Sequence, residues 1–215
     1  MSLILYAHPL SSYCWKALIA LYENGTPFEY RLLDPGDEAA AAEFRRLWPI
    51  GKFPVLVDGG VTVVETSIVI EYLDVHHPGP VRLVPDDRTE ALRVRMLDRI
   101  FDNYVMTPMQ KIVFNRFCPA EARNAYEVAE GRKTIDTAYG WLEGELATRE
   151  WAAGAQFSLA DCAAAPSLHY SNRVQPMAGR FPALAAYLER LEARSSFSRV
   201  LKEAEPYRHM FPEEP

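Results

Sequence analysis

The chain has 215 residues, 49% hydrophobic and 24% charged, and carries a formal net charge of −6. That apolar fraction offsets the entropy of ordering and excludes wholesale disorder, and no run approaches the roughly 18 apolar residues of a membrane-spanning helix. The acidic balance speaks against a nucleic-acid partner. The lack of basic residues before Lys16 speaks against a secretory signal. Three scattered cysteines, Cys14, Cys118 and Cys162, lack disulfide or metal-ligand spacing, which points to a reducing cytoplasm.

Taken in chain order, the first third alternates between two periodicities. Residues 2–7 form a short apolar run of β character, closed by His8-Pro9. Ser11 or Ser12 caps a helix running to about Asn24, with Ala17, Leu18, Leu21 and Tyr22 on its core face. A strand over 28–32 puts Phe28, Tyr30 and Leu32 on one side, and an Ala- and Glu-rich helix spans about 37–47. Pro54–Asp58 and Val61–Val64 flank Gly59-Gly60, a hairpin signal. A helix over Thr66–His76 then points Val69, Tyr72 and Leu73 inward. The expected order is β-α-β-α-β-β-α.

His77-Pro78-Gly79-Pro80 cannot continue a helix, so 1–77 reads as one domain, 78–87 as a linker and 88–215 as an all-helical domain. Charge shifts at the same place, with 5 Lys/Arg against 10 Asp/Glu before residue 78 and 18 against 19 after it. One helical stripe uses Leu92, Met96, Leu97, Ile100, Phe101, Tyr104 and Val105, and ends at Pro108. Others use Val128, Ile135, Ala138, Leu142 and Leu146, then Leu184, Leu188 and Leu191. Ser158-Leu159-Ala160-Asp161 fits a capping box, with Phe157 and Cys162 as its hydrophobic staple, ahead of a nearly uncharged and therefore buried helix.

Candidate chemistry gathers where strands give way to helices. The string from His8 to Trp15 lies at the carboxyl end of the first strand, where βα architectures collect their sites. Ser11 and Cys14 have the spacing of a redox Cys-x-x-Cys, but a serine cannot attack a disulfide, so dithiol exchange is excluded. A hydroxyl at a helix start can instead donate a hydrogen bond to a ligand's thiolate, or serve simply as a cap. Glu65-Thr66-Ser67 opens another helix, whose free N–H groups suit a carboxylate, while Glu65 complements an ammonium group. Phe53-Pro54 reads in isolation as a trans, strand-initiating proline. The five histidines lack ligand spacing, so no metal is expected.

Together these residues resemble the cytosolic glutathione S-transferases over essentially the whole chain. The resemblance implies a thioredoxin-like N-terminal domain followed by a helical-bundle domain. Ser11 stands at the active-site serine of the theta-, delta- and zeta-like classes, with Ser12 beside it as a second catalytic candidate. Residues 49–56 (PIGKFPVL) are similar to the family's N-P-x-G-K-V-P-V-L, with Trp48 in place of Asn. Pro54 would then be the cis-proline, and Phe53 would pair through its backbone with glutathione. Lys52 would meet the glycine carboxylate, and Glu65 with Thr66 would grip the γ-glutamyl end. Phe157–Asp161, Arg180–Leu184 and Arg194–Phe197 are similar to late landmarks of the family.

The implied activity is glutathione transfer to a small electrophile, a detoxification chemistry. Alternatives are glutathione-dependent isomerisation of the maleylacetoacetate type, dehalogenation, or non-catalytic glutathione binding. The Ser11-Ser12-x-x-Trp15-Lys16 string is like the zeta pattern, but Tyr13 replaces its cysteine. Candidates for the electrophile site are Tyr13, Tyr104, Met106 and Phe114, with Met109 and Phe117 beyond them. The resemblance also implies a homodimer, for which Arg88, Arg93, Arg95 and Arg99 would supply charge opposite the acidic N-terminal part.

Overall fold

The computed structural model describes residues 3–34 and 36–212. β1 (Leu3–Ala7), α1 (Ser12–Glu23), β2 (Glu29–Leu32), α2 (Glu38–Leu47), β3 (Val55–Asp58), β4 (Val61–Val63) and α3 (Thr66–His76) follow in the expected order. The sheet runs β2-β1-β3-β4, with β1 parallel to β2 and antiparallel to β3. A parallel pair needs a crossover, and α1 supplies it. Gly59 and Gly60 turn the β3–β4 hairpin at φ 55° and 103°, left-handed values that glycine adopts without a Cβ clash. The result is the thioredoxin-like arrangement expected.

α1 is buried from Cys14 through Leu21 because it packs on α3 and also on helices of the second half. Tyr22, expected on the core face, is only half-buried, and its hydroxyl donates to Glu203 at 2.6 Å. In α3 the buried apolar residues are Val69, Ile70 and Leu73, while Tyr72 is half-buried against the same core and donates to Asp58 at 3.1 Å. Phe28, Tyr30 and Leu32 do share a face, but it lines an open cavity against the C-terminal helices rather than a closed core.

Residues 78–87 hold neither helix nor strand, yet they are pinned on both sides. The Asn24 side chain bonds the Val81 backbone twice, at 2.8 and 3.1 Å, and Asp74 accepts the Leu83 N–H at 3.2 Å. Leu83 in turn accepts the Leu159 N–H at 2.9 Å. Among the described residues the elements of the second half are all helices, apart from an isolated bridge between Trp151 and Gly154: α4 (Arg88–Ile100), α5 (Thr107–Phe117), α6 (Ala125–Leu146), α7 (Leu159–Val174), α8 (Pro182–Ala193) and α9 (Ser195–Ala204). Among the described residues no helix is long and apolar enough to cross a membrane.

The stripe expected on α4 is corrected in two ways. Leu97, Phe101 and Val105 are buried as expected, but Leu92, Met96 and Tyr104 are exposed, and Ala91, Val94, Asp98 and Asp102 take inward positions instead. Two aspartates occupy core positions because Lys16 meets them there, which hydropathy alone would place in solvent. Nor does the helix stop at Pro108. A π-helical stretch, Phe101–Met106, carries the chain into α5, and Pro108 falls in that helix's first turn. The Thr107 hydroxyl donates to the Asp102 carbonyl at 2.8 Å, which helps satisfy the widened turn.

α7 lies at the centre of the helical half, buried along nearly its whole length. Its capping residue Asp161 is fully buried and accepts from the Ala152 and Ser158 N–H groups, both at 2.8 Å, and from the Ser158 and Tyr187 hydroxyls at 3.0 and 2.5 Å. Burial pushes its carboxyl upward, and these four donors oppose that shift. An Asp161→Ala variant strands buried donors and removes the cap together. It is expected to lose about 3 kcal/mol or more of unfolding free energy in urea titration.

Candidate functional site

Two cavities meet at the start of α1. A polar one of about 490 Å³ is walled by Lys52, Phe53, Pro54, Glu65, Thr66 and Ser67 on the sheet side, and by Arg99 and Asp102 on the helical side. An apolar one of about 360 Å³ is walled by Ser12, Met109, Val113, Phe117, Tyr170 and Phe211. Ser11, Phe53, Gln110 and Phe114 border both.

Ser11 is the N-cap of α1, and its Oγ accepts the Cys14 N–H at 3.2 Å. That bond uses an acceptor lone pair and leaves the hydroxyl proton available to a ligand. Ser12 is buried and borders only the apolar cavity. Cys14 accepts the His8 N–H at 3.4 Å, and burial pushes its thiol up to about 12, so it is no nucleophile.

The Phe53–Pro54 peptide is cis, contrary to the reading of that dipeptide in isolation and in keeping with the family motif. Among the described residues the Phe53 N–H and C=O have no hydrogen-bond partner, so an extended peptide can pair with them. Glu65 sits at φ 66°, a left-handed conformation that non-glycine residues rarely adopt. Among the described residues no side chain caps α3, so the N–H groups of its first turn remain open at the cavity wall.

Beneath the polar cavity lies a cluster of buried charges. Lys16, 1% exposed, pairs with Asp98 and, at 2.8 Å, with Asp102. Its Nζ also donates to Ser67 Oγ at 3.0 Å, and Ser67 donates to Asp98 at 2.8 Å. Arg99 closes the cluster from the solvent side by binding both aspartates. Burial raises the Asp102 carboxyl, and the Lys16 ammonium pulls against that shift.

Not every sequence candidate reaches these two cavities. Phe114 borders both, and Met109 and Phe117 the apolar one. Tyr13 borders the polar cavity instead, with burial pushing its hydroxyl up to about 12. Tyr104 faces a separate surface cavity beside Trp141, and Met106 is buried in the core. The π-helical stretch turns both away from the site. Sequence reading missed His8, Tyr170, Phe211 and the Lys16 cluster as parts of it. His8 lay inside the quoted string, but nothing local showed that the tail around Phe211 folds back.

The chain matches the family models for the glutathione S-transferase N-terminal domain over residues 5–81 and C-terminal domain over 105–195. It is 32% identical to a probable maleylacetoacetate isomerase of Vibrio cholerae, over 96% of this chain and 98% of that protein. It is 29% identical to FtsZ-localized protein A of Caulobacter vibrioides, over 94% and 92%. Among solved structures it is similar to a Methylobacterium radiotolerans glutathione S-transferase in complex with glutathione sulfonate, with TM-score 0.81, 31% identity and coverage of 93% and 94%. The chain therefore belongs to the glutathione S-transferase family, as an enzyme of the glutathione transferase type.

Lys16→Met leaves two buried aspartates with only the half-exposed Arg99 to pair them. It is expected to lower stability by about 3 kcal/mol or more in denaturant titration. Lys16→Arg, which keeps the charge, is expected to recover most of that loss.

Proposed function

We propose that the protein activates the thiol of glutathione with the Ser11 hydroxyl and delivers it to a small electrophile held in the apolar cavity. The observation that carries this reading is the position of Ser11, a helix cap with a free hydroxyl proton on the border of both cavities. Glutathione fits the polar cavity by chemistry. Lys52 pairs with its glycine carboxylate, and the unpartnered Phe53 peptide, set by Pro54, pairs with its backbone. The open α3 N-terminus with Thr66 receives the γ-glutamyl carboxylate, and Glu65 its ammonium group.

A thiol of pKa about 8.5 is only a few per cent ionised at pH 7. Lowering that value by about two units needs about 2.7 kcal/mol and ionises about three-quarters of it. One charge-assisted hydrogen bond at a helix start is of that order. The remaining work is orientation of the electrophile against Phe114, Met109 and Phe117. Ser12, bordering only the apolar cavity, is secondary. Three scattered free cysteines fit a cytoplasmic setting.

A second reading keeps this site and regenerates glutathione, as in isomerisation. It is favoured by the similarity to maleylacetoacetate isomerases and by the Ser11-Ser12-x-x-Trp15-Lys16 string. Product analysis separates the two, since only transfer leaves a stable conjugate. Under either reading Ser11→Ala is expected to lower kcat/KM by about 10–100-fold, and Ser12→Ala by less. Equal turnover of wild type and Ser11→Ala in the same assay contradicts the role given to Ser11.

The protein is further read as a homodimer. Arg93, Arg95 and Arg99 pair within the chain with Glu145, Glu71 and the two aspartates, so the charge expected of them at an interface is largely internal. Exposed Ile68, Val75, Leu92 and Met96, on the adjacent helices α3 and α4, offer an apolar surface for a second copy instead. Light scattering at micromolar concentration is expected to give twice the 24.4 kDa chain mass, and Leu92→Glu to give the single mass.

A further inference from the structure

His8 has no part in the reading above, yet it borders the apolar cavity beside Ser11 and Ser12. The Leu10 N–H donates to its Nδ1 at 3.2 Å. A backbone N–H can only donate, so Nδ1 is unprotonated and the neutral ring carries its proton on Nε2. Nε2 has no partner among the described residues. The ring is held against Phe53, with centroids 6.0 Å apart and planes at 26°. Burial lowers its pKa, which keeps it neutral at pH 7. A fixed, neutral N–H donor in an otherwise mostly apolar wall is suited to a ligand oxygen that gains charge during reaction.

We propose that His8 is a specificity-determining residue that favours electrophiles bearing a conjugated carbonyl, its Nε2–H donating to the carbonyl oxygen. The inference rests on the glutathione-thiolate reading and assigns a residue that chooses among electrophile types at the same site. In such a reaction a sulfur electron pair forms the S–C bond at the β-carbon. The C=C pair shifts toward the carbonyl carbon, and the C=O pair moves onto oxygen, giving an enolate. A proton from water at the α-carbon completes addition of S–H across the double bond, with no oxidant or reductant. His8 keeps its proton throughout. Its hydrogen bond strengthens as oxygen gains charge, so it aids the transition state more than the ground state. Displacement at an alkyl halide develops charge on the departing halide and has no such oxygen.

The test compares kcat/KM for 4-phenyl-3-buten-2-one and benzyl chloride at saturating glutathione in wild type, His8→Phe and His8→Gln. The enone-to-halide ratio is expected to fall about 10–100-fold in His8→Phe, up to the lower end of the roughly 100–1000-fold range for loss of one dedicated oxyanion donor, and to recover in part in His8→Gln, which restores a side-chain N–H. An unchanged ratio overturns the assignment to His8 while leaving the glutathione reading intact. Failure of wild type to conjugate either compound overturns both. Imidazole ¹⁵N shifts of the wild-type protein provide a check independent of the variants. They are expected to show the Nε2–H tautomer at pH 7, and the Nδ1–H tautomer overturns the inference.

Discussion

The site depends on how α1 is tied to the helical half, and two ion pairs of opposite sign do it. Near its start Lys16 meets Asp98 and Asp102; at its end Glu23 accepts a bidentate pair from Arg194 at 2.6 and 2.7 Å. Glu23 runs against the helix dipole, which favours cations at the last turn, and Lys16 lies past the first turn, where the dipole gives it no support. Neither therefore stabilises α1 as an isolated helix. Their partners across the molecule compensate them, and they fix how α1 lies against α4 and the start of α9. Arg194 also lies over the Phe157 ring at 4.0 Å, which links this contact to the staple residue preceding the buried α7.

That placement decides the chemistry available. The α1 start brings the Ser11 hydroxyl to the border between a polar wall and an apolar wall. The polar wall comes from the first half of the chain: the open α3 terminus, the cis Phe53–Pro54 peptide and Lys52. The apolar wall comes mostly from α5, α7 and the folded-back tail. A shift of α1 relative to α4 would change the polar cavity, because Asp102 and Ser67 belong to the ion cluster and to the polar wall alike. Binding geometry and the cohesion of the two halves thus share residues.

Much of this was legible in the sequence because it is encoded locally. The hairpin at Gly59-Gly60, the caps at Ser11 and Ser158–Asp161, and the helix starting at Thr66 follow from turn and capping chemistry within a few residues. The order of motifs named the family, and with it the cis-proline that the dipeptide alone did not reveal. What escaped was set by distant partners. Asp98 and Asp102 read as solvent-facing until Lys16, more than eighty residues earlier, is seen between them. That reversal turned the face of α4 and left Leu92 and Met96 outside. The π-helical stretch rotated Met106 and Tyr104 off the site, and hydrophobic periodicity assumes a constant turn. Phe211 reached the apolar cavity through a tail with no periodic signal at all.

The central claim is that the α1 terminus and the Ser11 hydroxyl lower the pKa of a bound thiol. The most direct measurement is a pH titration of thiolate ultraviolet absorbance for glutathione bound to the wild-type protein and to Ser11→Ala. The expected result is an apparent pKa about two units below the ordinary thiol value near 8.5 in wild type, with most of that shift lost in Ser11→Ala. A bound thiol that titrates at its free value in wild type, or an equal shift in both proteins, would contradict it.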